Sequence, residues 1–162
     1  MSDIEWRNPL LSLRAPEWVL AMYAFLLHFV WEMLQTPLFA EMPTMAHWPA
    51  TLFCLRATVG DVAIAVVAFG TVAALDGRRG WFLDPSRRSI VTYLACGVLL
   101  TIVLELHAVF WARRWSYSDL MPVIPALGVG LVPILQWIAL PLATLFLLQR
   151  HHLGVPAEQR AK

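Results

Sequence analysis

The chain has 162 residues, of which 59% are hydrophobic and 14% are charged, and its mean hydropathy is +0.64. Soluble domains usually contain about 45–50% apolar and about 25% charged residues, so this composition excludes that class and indicates a small polytopic membrane protein. Twelve Lys and Arg balance 11 Asp and Glu, which leaves no basic face for a nucleic acid partner.

Four segments are long and apolar enough to cross a bilayer as helices, which takes about 20 residues each. These segments are residues 18–37, 55–75, 89–111 and 123–148. Their uninterrupted apolar runs lack the alternation of strands in a membrane barrel. We therefore predict an all-α, integral membrane four-helix bundle that forms one transmembrane domain over residues 1–162.

The connections between the spans are short and rich in turn-forming residues. Residues 38–54 and 115–122 are expected to form interfacial loops, and residues 6–16 are expected to lie on the membrane surface. Ser86 or Ser89 is expected to cap the third helix, because a serine hydroxyl can accept a hydrogen bond from a free amide of the first turn.

The distribution of Lys and Arg predicts the orientation in the membrane. With the N-terminus inside, the inner side holds Arg7, Arg14, Arg78, Arg79, Arg87, Arg88, Arg150, Arg160 and Lys162. The outer side then holds Arg56, Arg113 and Arg114. Because basic residues favour the cytoplasmic side, we predict cytoplasmic N- and C-termini and a multi-pass location in the cell membrane.

Ionisable side chains at membrane depth are costly, so each of them is a candidate functional residue. Three carboxylates, Glu32, Asp61 and Glu105, are expected within about 10 Å of the outer boundary at the helical rise of about 1.5 Å per residue. His28 precedes Glu32 by one helical turn, and His107 follows Glu105 at a similar depth. We therefore predict one polar pocket that is built from several helices and opens outward.

Further polar and aromatic side chains are expected to line this pocket. The candidate ligand-binding residues are Gln35, Trp31, Thr101, His107, Trp115, Tyr117 and Gln136. Thr101 shares a helix face with Glu105, whereas His107 lies about 200° around the helix from Glu105, so these two are not expected to face one centre. The aromatic residues fit either an interfacial belt or a wall for an apolar ligand. Gly60 is expected to let a second helix approach closely.

Three interpretations of the acid layer remain open from the residues alone. The acids could be hydrated near the interface or paired with Arg56, Arg113 and Arg114. They could perform acid–base chemistry, because apolar surroundings favour the protonated form of a carboxyl. No cofactor is predicted for that chemistry, but a metal ion or haem is the third interpretation. Its candidate ligands are His28, Glu32, Glu105 and His107.

One stretch of the chain resembles the lycopene-cyclase domain family. It runs from residues 114–117 (Arg-Trp-Ser-Tyr) through residues 128–136 to Pro141. Members of that family have a tryptophan–tyrosine loop, then a proline followed by paired glutamates in the next helix. This chain has Leu135 and Gln136 where the family has the paired glutamates.

A second resemblance concerns the arrangement of His28 and Glu32 on one helix, with further acids on neighbouring helices. It is similar to sterol-isomerase-type (EXPERA) membrane proteins, which protonate a carbon–carbon double bond. Both resemblances imply proton transfer to an apolar alkene. We therefore expect isomerase-like or cyclase-like acid–base chemistry on a lipid or isoprenoid. Its candidate catalytic residues are Glu32 and Glu105 as acid and base, Asp61 separating their proton affinities, and His28 orienting Glu32.

A non-enzymatic role is the alternative expectation. The short chain and short loops also fit a metal-, haem- or proton-handling subunit, or an accessory subunit of a larger membrane complex. In either case the expected partners are membrane lipid and either a second copy of the chain or other membrane proteins.

Overall fold

The structure is a computed structural model that describes residues 15–154. Its four long helices are α1 (Pro16–Leu34), α2 (His47–Asp76), α3 (Arg87–Leu106) and α4 (Leu131–Gly154). Helix α3 continues through a π-helical turn, His107–Trp111. Each of the four helices is long and apolar enough to cross a membrane. The prediction of an all-α bundle of four membrane-spanning helices is confirmed.

The four helices form a ring in which each packs against its neighbours in the chain, and α1 also packs against α4. The connection between α2 and α3 contains a short 3-10 helix, Arg79–Leu83, that packs on α2 and α4. Its Trp81 side chain is fully buried against Phe69 and Tyr93. This aromatic cluster gives the bundle an apolar core at one end, and the predicted site residues lie toward the other end.

Two helices have a proline in the first turn, and both begin earlier than the hydropathy pattern predicts. Helix α2 begins at His47 rather than near residue 55, so the second half of the expected 38–54 loop is helical. Pro49 is tolerated there because the first turn of a helix has no internal partner for its amide groups. Pro16 begins α1 in the same way. The expected cap of α3 is Ser86, whose hydroxyl accepts from the Ser89 amide at 3.0 Å.

The fourth span also begins later than expected. Residues 123–130 form a short antiparallel hairpin of β1 (Val123–Ile124) and β2 (Val129–Gly130), and α4 starts only after it. Gly128 has a φ of 68°, a left-handed conformation that favours glycine. Hydropathy alone missed this turn, because the hairpin is almost as apolar as the helix. As a result, Pro133 lies in the first turn of α4.

The two loops at the polar end of the bundle are joined to each other. Phe39 and Tyr117 form an isolated antiparallel bridge that is flanked by backbone hydrogen bonds on both sides. Phe39 also contacts Trp115 edge-on, with ring centroids 6.3 Å apart. We call residues 35–46 and 114–118 together the cover, because they close this end of the bundle.

Two of the expectations concern residues that the structure does not describe. The proposed surface segment, residues 6–16, lies outside the described part of the chain except for Ala15 and Pro16. Several of the Lys and Arg that predict the orientation also fall outside it, in residues 1–14 and 155–162. The cytoplasmic placement of both termini therefore stays a prediction.

Candidate functional site

A cavity of about 600 Å³ lies beneath the cover and between the four helices. This volume is within the range of about 300–1,000 Å³ that is typical of small-molecule sites. The predicted site residues that line it are Glu32, Gln35, Asp61, Thr101, Glu105, His107, Trp115 and Gln136. The remaining three, His28, Trp31 and Tyr117, do not belong to the lining, and each contacts a residue that does. The structure thus brings the predicted residues from all four spans and the cover into one place.

On α1, Glu32 is held by a chain of hydrogen bonds along one helix face. The Gln35 side-chain amide donates to Glu32 Oε1 at 2.7 Å. The Trp31 indole N–H donates to Gln35 Oε1 at 3.1 Å, which determines which end of the Gln35 amide faces Glu32. The helical spacing of three and four residues makes these contacts local. Trp31 therefore acts on the site through Gln35.

Gln136 of α4 joins this chain to α2. Its Nε2 atom lies 3.2 Å from Glu32 Oε1 and 3.2 Å from Asp61 Oδ2. The same atom lies 2.8 Å from His28 Nδ1, and that imidazole is 1% exposed. His28 was expected to orient Glu32. It contacts Asp61 and Gln136, and it is linked to Glu32 through the Gln136 amide. We call His28, Glu32, Asp61 and Gln136 the acid cluster.

The acid cluster contains more acceptor atoms than the Gln136 amide can serve. A primary amide has two N–H donors, whereas three possible acceptors surround Nε2. His28 Nδ1 also lies 3.3 Å from Asp61 Oδ2, and two bare lone pairs would repel each other at that distance. A proton on either atom would make that contact a hydrogen bond.

On the opposite wall, Glu105 of α3 accepts a hydrogen bond from the Tyr117 hydroxyl in the cover. Burial raises the pKa of the Tyr117 phenol, and the neighbouring Glu105 carboxylate raises it further. Tyr117 therefore keeps its proton and remains a donor at neutral pH. The cover thus both closes the cavity and supplies a hydrogen bond to one of its acids.

His107 lies where α3 passes into the π turn. Glu105 and His107 both belong to the cavity lining, but Glu105 is partly buried whereas His107 is exposed. The backbone of Leu106 and His107 is still α-helical. The two residues therefore keep their separation of about 200° around the helix, and their side chains are not expected to face one centre.

Thr101 contributes an unpartnered hydroxyl to the cavity wall. Its Oγ1 atom is buried and has no hydrogen-bond partner among residues 15–154. By contrast, Thr58 and Thr71 bond to the carbonyl groups four residues earlier, at 2.9 Å and 2.8 Å. The Thr101 hydroxyl is therefore an unsatisfied buried group beside the cavity.

Trp137 and Gly97 shape the cavity and were missed from the sequence. Trp137 is 1% exposed, lines the cavity and lies 5.2 Å from the His28 ring. It fits against α3 only because residue 97 is glycine, since an added Cβ would lie 2.3 Å from Trp137 Cε3. The close helix approach is therefore at Gly97 and not at Gly60, where nothing lies within 4 Å. No spacing rule distinguishes these two glycines in the sequence.

The four candidate metal ligands do not form one set. Among the described residues, no group of three or more His, Cys, Asp and Glu is arranged to hold a metal ion. His28 is buried behind Gln136, whereas His107 is exposed. The described acids of the cavity also form no ion pair with Arg56, Arg113 or Arg114, so pairing with arginine does not account for them.

Comparison of the chain with protein-family models, curated proteins and solved structures finds no match in any of the three. The resemblances to the lycopene-cyclase domain and EXPERA families therefore remain interpretations of short motifs. The chemistry of the cavity has to be derived from its own residues.

Proposed function

We propose that this protein is an intramembrane acid–base enzyme that moves a carbon–carbon double bond in a lipid or isoprenoid-like chain. The observation that carries the proposal is the presence of two proton-handling groups in one cavity of about 600 Å³. One is the acid cluster, and the other is the pair of Glu105 and Tyr117. Apolar side chains, including Phe53 and Trp137, form much of the remaining wall.

In this mechanism Glu32 is the acid. Gln35 and Gln136 both bind its Oε1 atom, which leaves Oε2 without a hydrogen-bond partner among the described residues. Glu32 would donate its proton to one alkene carbon and leave a cation on the neighbouring carbon. The faces of aromatic rings such as Trp137 stabilise a positive charge of this kind.

Glu105 is then the base. Its carboxylate would take a proton from the carbon on the far side of the cation, and the double bond would re-form one position along the chain. One proton enters the substrate and one leaves it, so the reaction needs no oxidant or reductant. The hydrogen bond from Tyr117 holds Glu105 in place. After the step Glu105 holds a proton and Glu32 lacks one, so proton exchange with water would return both carboxyl groups to their starting states.

Deuterium exchange into an alkene tests this proposal. Proteoliposomes in D₂O would be supplied with squalene, farnesol or farnesyl phosphate, and carbon-bound deuterium would be measured by mass spectrometry. The wild-type protein should label at least one of them. Glu32→Gln and Glu105→Gln should each slow labelling by about 10²–10⁴-fold, the usual contribution of a general acid or base.

Glu17→Gln is the matched control, because it makes the same chemical change at the other end of the bundle. Glu17 pairs there with Arg79 at 2.7 Å, far from the cavity. This variant should label at the wild-type rate. Absence of labelling by the wild-type protein, with these alkenes and with a lipid extract of the expression host, would contradict the enzyme and favour a non-enzymatic proton-handling subunit.

A further inference from the structure

Two arginines that line the cavity have no counterion among residues 15–154. Arg56 of α2 and Arg114 of the cover both line the cavity, and both are exposed. Neither forms an ion pair with any of the acids that the structure describes, although three carboxylates line the same cavity. Those carboxylates instead bind Gln136, Gln35 and Tyr117.

The backbone brings Arg114 to this position by a strained reversal. After the π turn, Arg113 adopts a φ of 47°, which is unfavourable for a residue with a side chain. The amide of Arg114 then donates to the Ala108 carbonyl at 2.8 Å, which holds the reversed chain against the end of α3. The strained residue thus directs the chain into the cover and places Arg114 against the cavity.

A guanidinium group is a specific partner for phosphate and carboxylate groups, because its fixed fork of N–H donors matches their oxygen atoms. Two such groups on the lining of one cavity would attract one anionic group between them. The inner part of the cavity has the opposite character, with the carboxyl groups of the acid cluster and buried apolar residues such as Ile64 and Trp137. Its two ends therefore suit two different parts of one molecule.

We infer that the cavity binds an amphiphile whose anionic headgroup, a phosphate monoester or a carboxylate, is held by Arg56 and Arg114 while its hydrocarbon chain enters between the helices. This inference rests on the proposed function only for the presence of a double bond in that chain. Binding of the headgroup at the rim would set which carbon atoms reach Glu32. The arginines are therefore positioning residues, and headgroup binding can be measured without any reaction.

Binding of farnesyl phosphate and farnesol, which differ only in the headgroup, tests the inference. Quenching of tryptophan fluorescence would be measured in detergent, since Trp115 and Trp137 line the cavity. The wild-type protein should bind farnesyl phosphate at least about tenfold more tightly than farnesol, as expected for hydrogen bonds to a charged group. Arg56→Gln and Arg114→Gln should each lose most of this preference and bind farnesol as before.

Arg87→Gln and Arg88→Gln on α3 are the controls, because each removes the same charge from a residue that does not line the cavity. Both controls should keep the preference for farnesyl phosphate. Equal binding of the two probes by the wild-type protein, or unchanged preference in both cavity variants, would overturn the inference.

Two competitors distinguish the sources of the anion. Inorganic phosphate at the concentration of the probe should not displace farnesyl phosphate, and full displacement would overturn the requirement for a chain. The two-chain lipid phosphatidylglycerol should compete weakly, and equal competition would indicate ordinary headgroup binding and overturn the inference. Glu32→Gln should still bind farnesyl phosphate, so loss of labelling in that variant and loss of binding in the arginine variants are separate results.

Discussion

The side-chain amide of Gln136 holds together three ionisable residues that come from two other helices. It contacts His28 and Glu32 of α1 and Asp61 of α2, all within 3.2 Å. A carboxylate at this position would add a fourth ionisable group to the cluster. An apolar residue would leave the three neighbours without this hydrogen-bond donor. A neutral donor is therefore the residue type that the cluster requires.

Gln136→Leu should destabilise the protein by about 2–4 kcal/mol, because it leaves several buried acceptors unsatisfied at about 1–3 kcal/mol each. The measurement is the free energy of unfolding in mixed micelles. Gln149→Leu is the control, since Gln149 makes one hydrogen bond, to the Phe82 carbonyl at 2.7 Å. That variant should lose only about 1 kcal/mol. Equal losses in the two variants would mean that Gln136 does not hold the cluster together.

At the scale of the helices, the contact of α3 with α4 determines where the cavity wall lies. Trp137 of α4 fills the space that the missing side chain of Gly97 leaves on α3. The indole ring contacts the His28 ring and forms part of the cavity lining. Membrane helices commonly approach each other closely at small residues in this way.

Gly97→Ala should destabilise the bundle by about 1–3 kcal/mol, the usual effect of overpacking, because the new methyl group meets the buried Trp137 ring. Gly60→Ala is the matched control on α2. Its added methyl group meets nothing within 4 Å, so it should stabilise the helix by roughly 0.5–1 kcal/mol. The same unfolding assay compares the two variants. A stable Gly97→Ala variant would show that Trp137 can move away from α3.

At the scale of the whole molecule, the cavity is closed by two loops that are far apart in the chain. Ser116 donates to the Glu41 carboxylate both from its hydroxyl, at 2.7 Å, and from its amide, at 3.0 Å. Burial by itself would raise the pKa of Glu41, but these hydrogen bonds from Ser116 outweigh it and lower the pKa below its ordinary value of 4.5. Charged Glu41 therefore holds the two halves of the cover together.

The lowered pKa predicts a direction for the pH dependence of the cover. The stability that comes from charged Glu41 is fully present above pH 4.5 and is lost as the pH falls through the lowered pKa. Glu41→Gln should therefore lower the melting temperature at about pH 6, and the difference from wild type should disappear toward about pH 3. Ser116→Ala, which removes the hydroxyl contact, should show a smaller difference that disappears over the same range. A difference that does not change with pH would contradict this role for Glu41.

Much of the fold and part of the site follow from the sequence. Hydropathy predicted the four helices, and helical depth predicted that Glu32, Asp61 and Glu105 belong to one cavity. Both predictions rest on properties that accumulate along a single helix, namely its apolar length and its rise per residue. They do not depend on how the helices pack against each other.

The contacts between helices were decided only by the tertiary structure. These include the position of Gln136 among three acceptors and the packing of Trp137 on Gly97. Each depends on the relative rotation of the helices, which side-chain packing sets and which an apolar sequence leaves undetermined. The separation of Arg56 and Arg114 from the described acids has the same cause. Their distance from the acids depends on the path of the cover across the bundle and not on any spacing along the chain.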